Sequence, residues 1–317
     1  ATIHMNWKVK SLVQNIISIF PYKLSYSLYY QLQRNFGSLK KGNYNPTSVF
    51  IGSIKLWKYI HKNNHSAKGK VFFEIGTGRV PVIPFSNFLM GAKGTTTVDL
   101  NPYIKEELCM EMLDYISKNE SQVRELFGSL LLEDRFSTIM KYHSEEVFSL
   151  KGFLKICNIT YLAPADAAHT ALKEGSIDFC ISYTVFEHIP KNILKKIMIE
   201  SNRILKSSGI HVHRIDYSDH FSHSDNSISA INFLQYPDRV WKYYADNRYM
   251  YMNRLRHDDF ICLFTETGNT IKHQHQDQSA KIKAILEKKL LFLDDRFKYK
   301  NNDILSTTGA WFILERG

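Results

Sequence analysis

Residues able to do chemistry first appear in this chain at Val71-Phe72-Phe73-Glu74-Ile75-Gly76-Thr77-Gly78, where an apolar run ends on a carboxylate and two spaced glycines. Glycine takes positive φ angles without penalty and lets the main chain approach a ligand closely. A helix starting near Pro81 would present free N–H groups beyond the turn. One βα unit later, Thr95-Thr96-Thr97-Val98-Asp99-Leu100 ends on a second acid, Asp99. Its carboxylate can accept from both hydroxyls of a ribose, or it can cap a helix starting near Pro102. Further on, histidines and acids gather: Glu187-His188, then His211, His213, Asp216, Asp219, His220, His223 and Asp225. Imidazole moves protons near neutral pH, and carboxylates beside it orient it or join it around a divalent metal.

A sheet is the element that must position these groups. VFFEIG, TTTVDL, IDFCISYTV and GIHVHRID read as buried strands and STTGAWFIL as a last one. Helical spacing fills 82–89, 103–117 and 191–205 between them, which implies βαβ units and a parallel sheet. Residues 5–66 differ in texture and read as a helical segment. Val9, Leu12, Val13, Ile16, Ile17 and Phe20 recur at helical intervals, Pro21 interrupts, and the Tyr-rich YKLSYSLYYQLQRNF and then SVFIGSIKLWKYIHK follow. The remainder, 67–317, reads as one domain with a helical insertion at about 121–151 and additions at about 217–260, amphipathic around Trp241 and Phe260.

With 317 residues, 44% hydrophobic and 23% charged, the chain can bury a large core and is neither disordered nor collagen-like. No apolar run approaches the roughly 18 residues that would span a bilayer. A net charge of +10 welcomes anionic partners without choosing among nucleic acid, a membrane surface and an acidic small molecule. Dispersed lysines and the lack of a recognised RNA module argue against nucleic acid. Cys109, Cys157, Cys180 and Cys262 are scattered, so they read as reduced residues of a cytoplasmic protein and not as disulfides or a zinc site. Ala1–His4 before Met5 have the look of a cloning remnant, and the stretch after Met5 lacks the features of a signal peptide.

A pyrophosphate-binding turn needs a third glycine where this chain has Pro81, and a P-loop needs a lysine that is missing here. Glu74-Ile75-Gly76-Thr77-Gly78 instead resembles the E/D-x-G-x-G motif of class I methyltransferases, although Val80 stands where the family often has another glycine. Their cofactor, S-adenosylmethionine, carries a cationic sulfonium that an acid at the strand end suits. The resemblance continues in order: Asp99 for the ribose, Asp166 in ITYLAPADA for the adenine amino group, IDFCISYTVFEHIP as the fourth-strand motif, and RILKSSGIHVHRID as the following helix and fifth strand. It implies an α/β, Rossmann-like, seven-stranded, mostly parallel sheet flanked by helices, with an N-terminal helical lid and C-terminal additions. It also implies Glu74, Gly76, Gly78, Asp99, Leu100, Asp166, Ala167, Ser182 and Tyr183 as cofactor residues.

The segment HVHRIDYSDHFSHSDNSISAINFL, the later Asn253-Arg254-Leu255-Arg256 and FPYKLSYSLYYQLQRNFGSL resemble a bacterial methyltransferase subgroup of mostly unassigned substrate. In this fold the fourth and fifth strands end over the transferable methyl, which makes His188, His213, Asp216 and His220 the catalytic candidates. His213 or His220 is favoured as base, oriented by Asp216 or Asp219. Asp219, Tyr251, Arg254 and Arg256 are candidates for holding the acceptor, the arginines as an anion clamp or else paired with Asp258 and Asp259. No metal is expected, because the histidine run lacks an H-x-x-x-H pair. Moreover Thr184 occupies the position, three before Glu187, that is acidic in some quinone O-methyltransferases. The expected acceptor is a hydroxyl on a small metabolite or glycan intermediate. N-methylation and a non-catalytic binding module are the alternatives. The basic, amphipathic segment from Trp7, Lys8 and Lys10 to Phe20 reads as a lid or homodimer contact, with peripheral membrane contact as the other reading.

Overall fold

The computed structural model describes residues 5–37, 39–145 and 147–317, so Ala1–His4 lie outside the described residues. Five strands run parallel: β1 (Val71–Ile75), β2 (Gly94–Val98), β3 (Ile159–Leu162), β4 (Ile177–Tyr183) and β5 (Leu205–Asp216). Two more, β6 (Asn269–Gln278) and β7 (Thr307–Arg316), complete a sheet of order β3-β2-β1-β4-β5-β7-β6, with β7 antiparallel to both its neighbours.

Three helices precede the sheet: α1 (Trp7–Ile19), α2 (Tyr22–Phe36) and α3 (Thr47–Lys62). α4 (Val82–Leu89) and α5 (Glu106–Lys118) connect the first strands, and α6 (Glu120–Phe127), α7 (Glu133–Glu145) and α8 (Leu150–Ile156) fill the insertion. α9 (Lys191–Ile204) joins β4 to β5, while α10 (Asp238–Ala245) and α11 (His257–Glu266) lie between β5 and β6. α12 (Ala280–Glu287) and α13 (Asn302–Ser306) lead into β7.

Strand alternation divides the interior. Phe72, Phe179, Val212 and Trp311 face one core with Trp57 of α3 and Phe85 of α4. Phe73, Cys180, Ile215 and Phe312 face the other, with Leu194 and Met198 of α9 and Phe260 and Phe264 of α11. Helices on both faces account for strands that read as nearly continuous apolar runs. β6 is the exception that sequence reading passed over. It is an edge strand, NTIKHQHQDQ, with most of its side chains in or near solvent, so it carries no apolar signature. A third core joins Trp7 of α1 to Phe221, Phe233, Trp241, Phe297 and Leu305, and so welds the N-terminal helix to the segment after β5.

All four cysteines are free, and Cys109, Cys157 and Cys180 are buried. Among the described residues no helix is long and apolar enough to cross a membrane.

Candidate active site

The C-terminal ends of β1 and β2 form a crevice from main chain and acids. Gly76 (φ +81°) and Gly78 (φ +72°) both take the left-handed conformation that turns the chain from β1 towards α4. A Cβ at Gly76 would lie 2.7 Å from Val185, whereas the space beside Gly78 is open. Glu74 is buried and accepts a 2.5 Å hydrogen bond from the Thr97 hydroxyl. Burial pushes its carboxyl up to about 8, with the Thr97 bond opposing and the Asp99 charge reinforcing.

Asp99 does not cap the next helix, which begins at Glu106 after Lys105. It accepts from the N–H groups of Thr77 (3.1 Å) and Gly78 (3.2 Å) and from the Tyr161 hydroxyl (3.2 Å). Burial raises its carboxyl to about 7 against the pull of those bonds. Leu100 beside it is exposed. Asp166 is half-exposed, accepts from Ala168 N–H at 2.8 Å and faces His169 at 3.3 Å, while Ala167 is buried.

The ends of β4 and β5 separate the histidines. His213 lies opposite Ser182 in register, its Nδ1 is 2.9 Å from the Ser182 hydroxyl, and its ring packs between Phe186 and Phe264. It is fully buried, and that burial holds its imidazole well below the ordinary range. His211 is equally enclosed, bonded to Asn202 at 2.8 Å. The expectation that His213 meets an acceptor is therefore corrected: its side of the sheet is the one roofed by α9 and α11. Asp216 ends β5, and the helical turn His220–His223 folds back over it. His220 Nε2 lies 3.4 Å from Asp216 Oδ2, and the His188 ring stands edge-on to His220 with centroids 4.8 Å apart. Burial disfavours the Asp216 carboxylate, but the bonds and charge of His220 and the bonds of Ser218 outweigh it and hold the carboxyl down at about 2.

Residues 137–213, from within α7 to His213 on β5, match the family model described as a methyltransferase domain. The glycine turn lies upstream of that span, so turn and match are separate observations of one class. Both point to an S-adenosylmethionine-dependent methyltransferase of class I.

No curated protein matches the chain. Similar solved structures include a protein of Pyrococcus horikoshii OT3 (13% identity, 90% of this chain and 99% of that one, TM-score 0.48). A SAM-dependent methyltransferase of Methanosarcina mazei is 12% identical over 81% of this chain and 96% of that one, with a TM-score of 0.45. One from Mesorhizobium loti is 13% identical over 84% and 100%, also with a TM-score of 0.45.

The other predicted acceptor residues brace the chain, and Tyr251 and Arg254 also line a pocket with Asp238, Asn253 and Arg296. Arg256 is fully buried and donates to the carbonyls of Tyr217 (2.7 Å), Leu305 (3.0 Å) and Thr307 (2.6 Å). Arg254, with φ +57°, donates to the carbonyls of Phe233 (2.7 Å) and Tyr236 (2.6 Å) and pairs with Asp238. Neither guanidinium pairs with Asp258 or Asp259, both of which hold Lys300, although Asp259 also accepts from the Arg256 N–H at 2.8 Å. Asp219 is buried and receives Phe221 N–H at 2.9 Å and the Asn232 amide at 3.0 Å, which fixes the turn that carries His220. Tyr251 acts through its main chain: its carbonyl lies 2.9 Å from His188 Nδ1.

Sequence reading missed Asn253, whose amide donates to the carbonyls of Phe186 and Ile189 at 2.8 Å each and clamps the Glu187–His188 turn. It also missed a tyrosine cluster over the crevice. Tyr26 and Tyr103 hydroxyls meet at 3.0 Å, Tyr29 stacks on Tyr249 at 4.0 Å, and Arg79 of the glycine turn bonds Gln33 of α2. The Tyr-rich runs were visible in the sequence, but their meeting is long-range. Tyr183 is half-buried, and its ring occupies the space that a Cβ on Gly52 of α3 would fill.

Proposed function

We propose that the chain transfers the methyl of S-adenosylmethionine to a hydroxyl of a small metabolite or glycan intermediate, with the Asp216–His220 pair taking the hydroxyl proton. The observation that carries this reading is the contrast among the histidines. His213 and His211 are sealed in the core, while His220 sits at the end of β5 beside a carboxylate held ionised. In this reading Glu74, Gly76, Gly78, Asp99, Leu100, Asp166, Ala167, Ser182 and Tyr183 line the cofactor site. The fit is supported by the open space at Gly78 and by the lone pair that Asp99 Oδ1, which accepts from Thr77 N–H, keeps for a ribose hydroxyl, Oδ2 already accepting from Gly78 N–H and the Tyr161 hydroxyl. The bound cofactor supplies the electrophilic methyl. The protein aligns the acceptor, excludes water and removes the proton.

Calorimetry with S-adenosylmethionine and its demethylated product tests the cofactor site. Labelled-methyl incorporation into a metabolite extract then finds the acceptor. His220→Ala should lower kcat several hundredfold with unchanged cofactor affinity. Near-normal turnover would transfer the reading to a nitrogen acceptor.

The exposed sides of α1 and α2 support peripheral contact with an anionic lipid surface. Val9, Leu12, Ile16, Ile19, Leu24, Leu28 and Leu32 are all exposed, Ile19 at 82%. Lys8, Lys23, Lys40 and Lys41 lie exposed on or next to these helices, a charge pattern that suits acidic headgroups. Sedimentation with vesicles of acidic phospholipid should capture the protein, and Leu12→Ser with Ile16→Ser should release it. A concentration-dependent dimer lost in the same variant, without vesicle binding, would assign the face to a second copy instead. A cytoplasmic location is the reading that the unpaired cysteines support.

A further inference from the structure

The ends of β4 and β5 collect more ligand chemistry than a proton-transfer pair needs. Glu187, His188 and His220 each offer a ligand atom, all within 4.8 Å of one another, and Asp216, His220 and His223 do the same around the shared His220. Glu187 is the unexplained member. It is 2% exposed, and neither carboxylate oxygen has a partner in full hydrogen-bonding geometry. A buried carboxyl left this way either holds its proton or is completed by something cationic.

The surroundings are arranged as the outer shell of a metal site would be. The Nδ1–H of His188 donates to the Tyr251 carbonyl at 2.9 Å, which turns its Nε2 lone pair towards the cluster. The Nε2 of His220 likewise lacks a partner in full geometry. Asp216 commits Oδ1 to the N–H and hydroxyl of Ser218 and leaves Oδ2 facing His220 (3.4 Å) and His223 (3.8 Å). Asn253 bonds the carbonyls on either side of Glu187–His188 and fixes the first segment, and Asp219 caps the second.

We propose that Glu187, His188, Asp216 and His220, with His223 at the rim, form a binding site for a divalent transition cation. Two or three imidazoles with carboxylates suit zinc, manganese, cobalt or iron and disfavour magnesium or calcium, which prefer oxygen ligands. Such an ion binds at about 2.0–2.2 Å, so the ligand atoms need to close by roughly an ångström, within reach of side-chain rotation. The ligands come from two segments joined only through the sheet, so no linear spacing announces them. At the acceptor end of the crevice, a bound cation would occupy the Asp216–His220 pair as ligands and take over its part, binding and acidifying an acceptor hydroxyl; the pair acts as base only with the cation absent. That role rests on the function proposed above; occupancy of the site does not.

The test is binding to the full chain, stripped with chelator, by calorimetry with Mn²⁺ and Zn²⁺ and by the visible absorption of added Co²⁺. One equivalent is expected, with an absorption band from nitrogen ligands. His188→Ala and His220→Ala should each weaken binding roughly 10- to 100-fold or more. Glu187→Gln, which keeps the side-chain shape, should weaken it with unchanged circular dichroism. His61→Ala, an exposed histidine on α3, should leave it intact. Absence of stoichiometric binding, or equal binding by wild type and the His220 variant, overturns the proposal. If the chelated protein binds S-adenosylmethionine but no metal, the methyltransferase reading survives and the metal site does not.

Discussion

Glu74→Gln is the perturbation whose consequence can be worked furthest from the structure. An unfolded glutamate titrates at about 4.3, whereas burial in the folded chain pushes Glu74 up to about 8. Between those values the native protein holds a proton that the unfolded chain has released. Stability of the ligand-free protein is therefore fullest below the unfolded value, falls as pH rises through this window, and levels off above the folded value. At 1.36 kcal/mol per unit the ceiling is roughly 5 kcal/mol. Glutamine keeps the shape and can still receive the Thr97 hydroxyl, but it cannot ionise. Urea denaturation across about pH 5 to 9 should show the variant near wild type at the acid end and more stable by several kcal/mol at the alkaline end. A cationic sulfonium nearby favours the carboxylate. Hence S-adenosylmethionine should release protons on binding near pH 7, while the demethylated product, whose sulfur is neutral, releases fewer. Calorimetry in two buffers of different ionisation enthalpy reads this difference. Stability curves that stay parallel for wild type and variant would refute the burial argument. Equal proton release by the two ligands would refute the placement of the sulfonium.

Asp99→Asn should weaken S-adenosylmethionine at least tenfold by calorimetry, because the carboxylate's bond to a ribose hydroxyl and its hold on the Thr77 and Gly78 N–H groups are weakened together; unchanged affinity would remove Asp99 from the cofactor site. Gly76→Ala should lower stability by about 2 kcal/mol or more in urea and abolish cofactor binding, since a Cβ there is strained at φ +81° and meets Val185 at 2.7 Å. Arg256→Met should cost on the order of 3 kcal/mol by leaving three buried carbonyls without their donor, and its folded fraction should keep an ordinary acceptor KM; a selective rise in KM would return Arg256 to the acceptor site.

Local signals carried the fold and the turn. Glu74, Gly76 and Gly78 form one short motif, and the strands of the parallel sheet are apolar because helices cover both faces. Depth was less legible. Alternation along β5 sets His211 and His213 opposite Val212, but it does not say that α9 and α11 roof the histidine side. Arg254 and Arg256 looked like a surface clamp because guanidinium groups are rarely buried. Their true partners, carbonyls of Tyr217, Phe233, Tyr236, Leu305 and Thr307, leave no mark in a one-dimensional pattern. β6 escaped for the converse reason, since an edge strand needs no apolar face.

The depth of those arginines explains how a polar cluster can be held at the mouth of the crevice. His188 and His220 lie on single short helical turns, Phe186–His188 and His220–His223, where no long helix or strand ladder fixes a side chain to within an ångström. Asn253 ties down the turn bearing His188, Arg254 the loop at 233–238, and Arg256 both the exit of β5 at Tyr217 and the start of β7. Burial lowers the Arg256 guanidinium only to about 10, so it stays charged at neutral pH and its fork of donors remains complete. Lysine there would keep the charge but lose the planar fork that reaches three carbonyls from one side chain. The run Asn253-Arg254-Leu255-Arg256 thus braces the segments that carry His188 and His220. Its replacement should loosen His188 and His220 before it unfolds the sheet.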